Sequence, residues 1–212
     1  MNKKSAPKIL VVTNRRLCQE KFLNRIEKLA KAAIDGIILR EKDLSESNYE
    51  ALAKEVLTIC RRHGKECILH SFPDVALRLE ARKIHLPLWK AAECMNLDCF
   101  KKVGISVHSV EEAKEAQELG ATYVTVGHIF ATDCKQCLLP RGLSFVKDVK
   151  AVASISVFAI GGINENNLAA VLDAGADGAC LMSSMMTCVD PQKYVDRLCS
   201  VVNDEFSKNL IA

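Results

Sequence analysis

Short runs of apolar and β-branched residues alternate along this chain with longer segments in which apolar residues recur at helical spacing. Phe22, Ile26, Leu29 and Ala33 form one such stripe. Runs of four or five apolar residues are typical of buried strands, whereas striped segments are typical of amphipathic helices. The pattern predicts eight strands, at residues 9–13, 36–39, 66–70, 83–86, 102–106, 123–126, 156–160 and 178–182.

Capping residues mark the ends of the helical segments. Ser47 precedes Glu50 by three positions, and Ser109 precedes Glu112 by three, which is the spacing of a capping box at a helix start. Gly120 follows a helical segment at the point where a left-handed C-cap is expected. These signals indicate a regular alternation of strands and helices.

An alternation of this kind predicts a parallel sheet, because parallel neighbours need crossover connections. The sheet is either an open doubly wound one or a closed (β/α)8 TIM barrel. No Gly-x-Gly-x-x-Gly sequence follows the first strand, and eight units in 212 residues favour the barrel. Since no linker divides the chain, we expect residues 1–212 to form a single domain, with its site at the C-terminal ends of the strands.

Charge and composition narrow the range of partners. The 29 basic and 26 acidic residues leave a net charge of +3, and aromatic residues make up 5% of the chain, so neither attraction to phosphates nor base stacking favours nucleic acid. The apolar run at residues 9–12 is too short for a signal peptide or a membrane span. We therefore expect a cytoplasmic protein that binds neither nucleic acid nor a membrane.

Metal binding is not indicated by the cysteines or the histidines. The ten cysteines are scattered, and Cys134 and Cys137 form one C-x-x-C pair without the second pair of a zinc site. A zinc site at the strand ends would need His-x-His or acidic ligands, which are missing there. Four histidines that could titrate near neutral pH do fall at or near strand ends: His70, His85, His108 and His128.

Glycines and serines after the last two strands indicate a phosphate site. Gly161 and Gly162 follow the seventh strand, and Ser183 and Ser184 follow the eighth. Glycine lets a backbone approach a ligand closely, and barrels often bind phosphate at strands seven and eight. The alternative is a tight turn without a ligand.

Two cations follow the second strand. Arg40 and Lys42 are expected on the same side, with Glu41 between them pointing the other way. Such a pair suits a carboxylate or a second phosphate. The alternative is a surface charge cluster.

Several segments, in order along the chain, resemble the thiamin phosphate synthase superfamily. They are residues 38–44 (Ile-Leu-Arg-Glu-Lys-Asp-Leu), 74–77 (Asp-Val-Ala-Leu), 104–108 (Gly-Ile-Ser-Val-His), 126–132 (Val-Gly-His-Ile-Phe-Ala-Thr) and 159–164 (Ala-Ile-Gly-Gly-Ile-Asn). The resemblance runs from the second strand to the eighth and implies a phosphate-binding TIM barrel of thiamin biosynthesis.

The sequence departs from the synthase pattern at the acids that hold magnesium there. The synthase has Asn-Asp at the end of strand three and a second acid after strand four, whereas this chain has His70-Ser71 and Pro87-Leu88-Trp89. Ile38 replaces a glutamine of the family. Residues 127–135 resemble the TenI branch, in which a histidine follows the glycine and an Arg-Gly comes later, as in Arg141-Gly142 here.

The TenI resemblance implies a thiazole tautomerase, which aromatises a carboxythiazole phosphate by metal-independent acid/base chemistry. His128 would be the general acid/base, because an imidazole can remove the ring proton and return it to the exocyclic carbon. No cofactor is implied. Arg40, Lys42, Ser106, His108 and Lys135 would bind the substrate, and Gly161, Gly162, Ser183 and Ser184 would bind its phosphate.

Two alternatives stay open. One is a thiamin phosphate synthase, which joins a pyrimidine pyrophosphate to a thiazole phosphate. The other is a non-catalytic TenI-type regulatory protein that binds a thiazole phosphate without turnover. A homodimer is implied only by the resemblance.

Overall fold

The structure, a computed structural model, describes residues 7–132 and 139–208, with side chains to residue 202. Eight strands of four to six residues lie within these ranges. They are β1 (Lys8–Val12), β2 (Gly36–Leu39), β3 (Glu66–His70), β4 (Lys83–Pro87), β5 (Lys102–Val107), β6 (Tyr123–Gly127), β7 (Ser156–Ile160) and β8 (Gly178–Leu181).

Helices follow the strands in alternation. They are α1 (Phe22–Lys31), α2 (Glu46–Arg62), α3 (Pro73–Arg78), α4 (Leu88–Ala92), α5 (Val110–Glu118), α6 (Gly142–Val152), α7 (Leu168–Asp173), α8 (Ser183–Thr187) and α9 (Pro191–Lys208). Single 3-10 turns lie at Arg15–Leu17 and Leu97–Cys99. Within the described part of the chain, no helix is both long enough and apolar enough to cross a lipid bilayer.

The sheet closes into a barrel. Each strand pairs in parallel with the next, and β1 also pairs with β8 through registers such as Leu10 opposite Cys180. The (β/α)8 TIM barrel predicted from the alternation is therefore confirmed. Closure leaves every strand hydrogen-bonded on both sides, so the sheet has no exposed edge.

Side-chain alternation divides the core into two parts. Residues that point outward from the strands pack under the helices, as Ile37 and Leu39 of β2 do in one cluster with Tyr49 of α2. Residues that point inward fill the barrel interior: Leu10, Val12, Ile38, Ile68, Tyr123, Phe158 and Cys180. Burying one large apolar side chain stabilises a fold by about 1.5–3 kcal/mol, so both layers are needed to hold the strand ends in place.

The capping predictions have mixed outcomes. Ser109 caps α5, because its Oγ accepts a hydrogen bond from the Glu112 N–H at 3.1 Å. The prediction for Ser47 is wrong, since α2 begins at Glu46 and Ser45 accepts from the Asn48 N–H. Ser45 has the extended backbone that an N-cap requires, whereas Ser47 is already inside the helix.

Candidate functional site

A cavity of about 670 Å³ opens at the C-terminal ends of the strands. It contains every site residue expected from the sequence that lies within the described ranges. These residues are Arg40, Lys42, Ser106, His108, His128, Gly161, Gly162, Ser183 and Ser184. Lys135, together with Cys134 and Cys137, lies outside the described residues.

The glycine turn after β7 packs directly under the loop after β6. Gly161 has φ of 105° and Gly162 has φ of 67°, both in the region that favours glycine. A Cβ on Gly161 would lie 2.5 Å from the Cβ of His128, and one on Gly162 would lie 2.6 Å from the carbonyl oxygen of Ala131. Side chains are therefore excluded at both positions by conformation and by contact.

The carbonyl groups of this turn are already bonded within the protein. The Gly161 oxygen accepts from the Phe130 N–H at 3.0 Å, and the Gly162 oxygen accepts from Asn167 Nδ2 at 2.9 Å. These bonds hold the turn against the loop after β6 and against Asn167, the N-cap residue of α7. Ser183 and Ser184, at the start of α8, line the same wall.

The part of the cavity wall that follows β2 is cationic. Arg40 and Lys42 line the cavity after β2, while Glu41 between them is 3% exposed and turned into the protein. The Glu41 carboxylate accepts from Thr13 Oγ1 at 2.7 Å and from the Arg15 N–H at 3.1 Å. The predicted arrangement of two cations facing one way and the acid facing the other is what the structure has.

Two of the strand-end histidines are buried and stacked. The rings of His70 and His85 lie 5.6 Å apart, 15° from parallel. Burial lowers the pKa of His70 well below its usual value, and the nearby charges of His85 and Arg40 act in the same direction. Burial, with a contribution from Arg40, also lowers the pKa of His85 to about 3. The expectation that these two histidines titrate near neutrality is therefore wrong, because burial penalises the imidazolium form.

The other two histidines flank Gly127. His128 follows a cis Gly127–His128 peptide, is buried, and lines the cavity. His108 is more exposed, and its Nδ1 lies 3.3 Å from the carbonyl oxygen of Gly127. A carbonyl only accepts, so this contact places a proton on Nδ1 of His108.

The hydroxyl groups of Ser106 and Thr125 line the cavity on β5 and β6, and the buried Tyr123 hydroxyl group belongs to the same hydrogen-bond network. Ser106 Oγ lies 2.8 Å from His85 Nε2 and 3.2 Å from Thr125 Oγ1. Tyr123 Oη contacts the other ring nitrogen of His85, Nδ1, at 2.9 Å. Sequence reasoning missed Tyr123 and Thr125, although the alternation along β6 places both on the inward face with Gly127.

The loop after β3 has an unusual backbone. Ser71 has φ of 66°, a conformation that few residues other than glycine adopt readily. Its N–H donates to the carbonyl oxygen of His85 at 3.1 Å, and its Oγ lies 2.6 Å from His70 Nδ1. These bonds hold the end of β3 against β4.

The described residues do not fit a magnesium ion. Magnesium prefers oxygen ligands, with one or two carboxylates among them. No aspartate or glutamate is among the described residues that line the cavity, and nowhere in residues 7–132 or 139–202 do three or more His, Cys, Asp or Glu side chains form a group that could hold a metal. The positive charge on the cavity wall comes instead from Arg40 and Lys42.

The family model, the similar sequences and a solved structure that covers nearly the whole chain point to one family. A family model described as thiamine monophosphate synthase matches residues 9–185. Thiamine-phosphate synthase of Clostridium acetobutylicum is 34% identical over 208 residues, which cover 95% of this chain and 96% of that protein. Putative thiamine-phosphate synthase 2 of Aquifex aeolicus is 32% identical over 182 residues, covering 85% and 98%. The solved thiamine phosphate pyrophosphorylase from Pyrococcus furiosus has a TM-score of 0.78 at 28% identity, covering 96% of this chain and 98% of that one.

Proposed function

The chain belongs to the thiamine monophosphate synthase family, and from that premise we propose that it is a transferase that joins a pyrimidine pyrophosphate to a thiazole phosphate. In this reaction the thiazole nitrogen forms a bond to the methylene carbon of the pyrimidine, and the carbon–oxygen bond to pyrophosphate breaks. Electrons balance without an oxidant or a reductant. Similarity to thiamine-phosphate synthases over 95% of the chain carries the proposal.

The thiazole tautomerase expected from the sequence is wrong. That expectation depended on residues 127–135 and on the missing acids after β3 and β4, whereas the similarity to synthases extends over nearly the whole chain. The isomerase assignment is therefore wrong, and the acid/base role predicted for His128, which belonged to that reaction, is not part of the proposed transfer. The transfer requires no proton movement between carbon atoms, so in this proposal His128 contacts the ligand as part of the cavity wall.

The two walls of the cavity support a pair of phosphorylated substrates. The glycine turn at Gly161 and Gly162, with Ser183 and Ser184 beside it, would hold the phosphate of the thiazole. Arg40 and Lys42 would hold the pyrophosphate, since guanidinium and ammonium groups neutralise the charge that develops as it leaves. Ser106 and His108 would contact the substrates between these sites.

The lack of carboxylates in the described cavity wall changes how the pyrophosphate would be held. Because the positive charge there belongs to side chains, we expect inorganic pyrophosphate to bind in the presence of EDTA. Titration calorimetry with EDTA, and again with excess Mg²⁺, measures this directly. An affinity that disappears in EDTA would show that a metal ion, rather than the wall at Arg40, carries the charge.

The proposed activity is tested by mixing the protein with both substrates and measuring thiamin phosphate by mass spectrometry and pyrophosphate release in parallel. We expect both products in equal amounts. Arg40→Gln should raise the KM for the pyrimidine pyrophosphate by about tenfold or more, since a charge-assisted bond to phosphate is lost. Arg16→Gln is the matched control, because that side chain is 72% exposed on the surface, and it should change the KM by less than about twofold.

The negative outcomes separate clearly. Tight binding of the thiazole phosphate without product would leave a binding protein of the same family. If neither substrate bound, the assignment of this cavity to thiamin phosphate synthesis would be wrong.

A further inference from the structure

Strand register brings three positions together in the barrel interior. His85 of β4 lies opposite Gly104 of β5, and Gly104 lies opposite Tyr123 of β6. All three point inward, so the missing side chain of Gly104 leaves space between the other two. The Tyr123 ring fills that space, and its Oη reaches His85 Nδ1 at 2.9 Å across the intervening strand. A Cβ on Gly104 would overlap both the phenol ring and the imidazole.

The direction of this hydrogen bond follows from burial. Tyr123 is 1% exposed, and in the part of the chain that the structure describes its hydroxyl group is hydrogen-bonded to His85. If Nδ1 carried the proton, the buried hydroxyl hydrogen would have no acceptor there, which is costly. Tyr123 therefore donates to Nδ1, and the proton of the neutral imidazole is on Nε2. The lowered pKa of His85, caused mainly by burial, agrees with a neutral ring.

The Nε2–H group then determines what Ser106 can do. Ser106 Oγ lies 2.8 Å from His85 Nε2 and accepts a hydrogen bond from the Nε2–H group. Thr125 Oγ1, which lies 3.5 Å from the same nitrogen, donates to Ser106 Oγ at 3.2 Å. A serine oxygen has two acceptor positions and one hydrogen to donate. Both acceptor positions are filled by groups of the barrel, and Ser106 lines the cavity. Its own hydrogen is left to point toward the ligand.

We infer that His85 and Tyr123 are positioning residues that fix Ser106 as a hydrogen-bond donor to the substrates, a role that rests on the proposed transferase function. A hydroxyl group held in this way selects an acceptor atom, such as a phosphate oxygen or an unprotonated ring nitrogen, and disfavours a ligand donor at the same place. Gly104 is part of the same arrangement, because only a glycine at that position lets the phenol group of Tyr123 reach the imidazole of His85.

A double-mutant cycle separates this role from simple packing. Ser106→Ala removes the donor, and we expect a fall in kcat/KM of about ten- to a hundredfold if it bonds a charged oxygen. Tyr123→Phe should lower kcat/KM by about tenfold alone and by less than about twofold in the Ser106→Ala background, because Tyr123 acts only through Ser106. Equal losses in both backgrounds would overturn the inference.

Tyr49→Phe is the matched control for the loss of a buried phenol hydroxyl. Tyr49 is 0% exposed and donates to the Leu39 carbonyl at 2.7 Å, outside the network of Ser106. Any effect of Tyr49→Phe on kcat/KM should therefore be the same with and without Ser106→Ala. If the effect of Tyr49→Phe depended on Ser106 as strongly as that of Tyr123→Phe, the coupling would come from a general loss of rigidity in the barrel and not from the proposed network.

The tautomer of His85 can be observed without any substrate. In ¹⁵N-histidine-labelled protein, the resonances of His85, assigned by their loss in His85→Gln, should show a neutral ring with its proton on Nε2 from pH 5 to pH 8. A proton on Nδ1, or an imidazolium, would overturn the inference. This measurement also separates the two proposals, because a protein that makes no thiamin phosphate yet shows the Nε2–H ring refutes only the function.

Discussion

Replacing Gly161 with alanine adds one methyl group at a place where both the backbone and a neighbouring side chain resist it. Gly161 has φ of 105°, and the new Cβ would lie 2.5 Å from the His128 Cβ and 2.8 Å from the His128 Cα. The conformation costs a non-glycine residue about 1–3 kcal/mol. Relieving the overlap costs about 1–3 kcal/mol more, since backbone atoms must move.

Gly120→Ala provides a matched comparison. Gly120 has φ of 90°, close to that of Gly161, but a Cβ there would meet nothing within 4 Å. Gly120→Ala should therefore lower the free energy of unfolding by about 1–3 kcal/mol, which is the effect of the backbone conformation alone. The difference between the two variants isolates the overlap with His128.

Thermal unfolding measures that difference. A loss of 1 kcal/mol lowers the Tm of a domain of this size by about 2–4 °C, so Gly161→Ala should unfold roughly 2–12 °C below Gly120→Ala. Calorimetry with the thiazole phosphate should show weaker binding for Gly161→Ala and unchanged binding for Gly120→Ala. Equal Tm values for the two variants would refute the argument that the loop after β6 constrains Gly161.

Three further predictions concern buried polar groups. Folding lowers the pKa values of His70 and His85, so below about pH 6.5 the unfolded chain binds more protons than the folded one. The free energy of unfolding should therefore fall by about 1.4 kcal/mol per pH unit for each ring as the pH drops. Urea unfolding at several pH values measures this dependence on pH, and His85→Gln should make it less steep. Tyr49→Phe should lower the urea-unfolding free energy by about 1–3 kcal/mol, because two buried backbone groups lose their partner. Thr13→Val, of similar shape, removes the hydroxyl that accepts from the Arg40 N–H, and it should both destabilise the fold by about 1–3 kcal/mol and raise the Kd for pyrophosphate in calorimetry.

The fold could be predicted from local pattern because each strand and helix has its own sequence signal. The runs at residues 36–39, 66–70 and 156–160 became strands with the same bounds. Other ends moved by one residue, as β1 did when it began at Lys8 instead of residue 9. The exact end of a strand depends on the hydrogen bonds that it forms with its neighbouring strands, and the sequence of that strand alone does not determine them.

The network beneath the cavity could not be predicted in the same way. The contact between His85 and Tyr123 joins residues 38 positions apart, and it depends on the register of three strands and on the space above Gly104. The lowered pKa values likewise come from burial in the closed barrel. Sequence alone identified histidines near strand ends, but it did not show which of them are enclosed.

The error about the reaction has a different origin. The features that favour a tautomerase are short, namely residues 127–135 and the missing acids at the ends of β3 and β4, whereas the similarity to synthases covers 95% of the chain. Six residues of the loop after β6, 133–138, also lie outside the described part of the structure, so Lys135 stays a prediction. His70 and Ser71 stand where the synthases have Asn-Asp, and this difference still indicates that side chains would neutralise the charge of a pyrophosphate here.

The backbone conformation of Ser71 decides whether this barrel could hold a metal ion in place of the positive charge of Arg40 and Lys42. Its φ of 66° is tolerated better by aspartate and asparagine than by most other residues. The family resemblance places an aspartate of the synthases at this position. An aspartate at residue 71 would therefore fit the main chain as it stands, and the acid after β4 would be the second replacement needed before a metal ion could supply the charge.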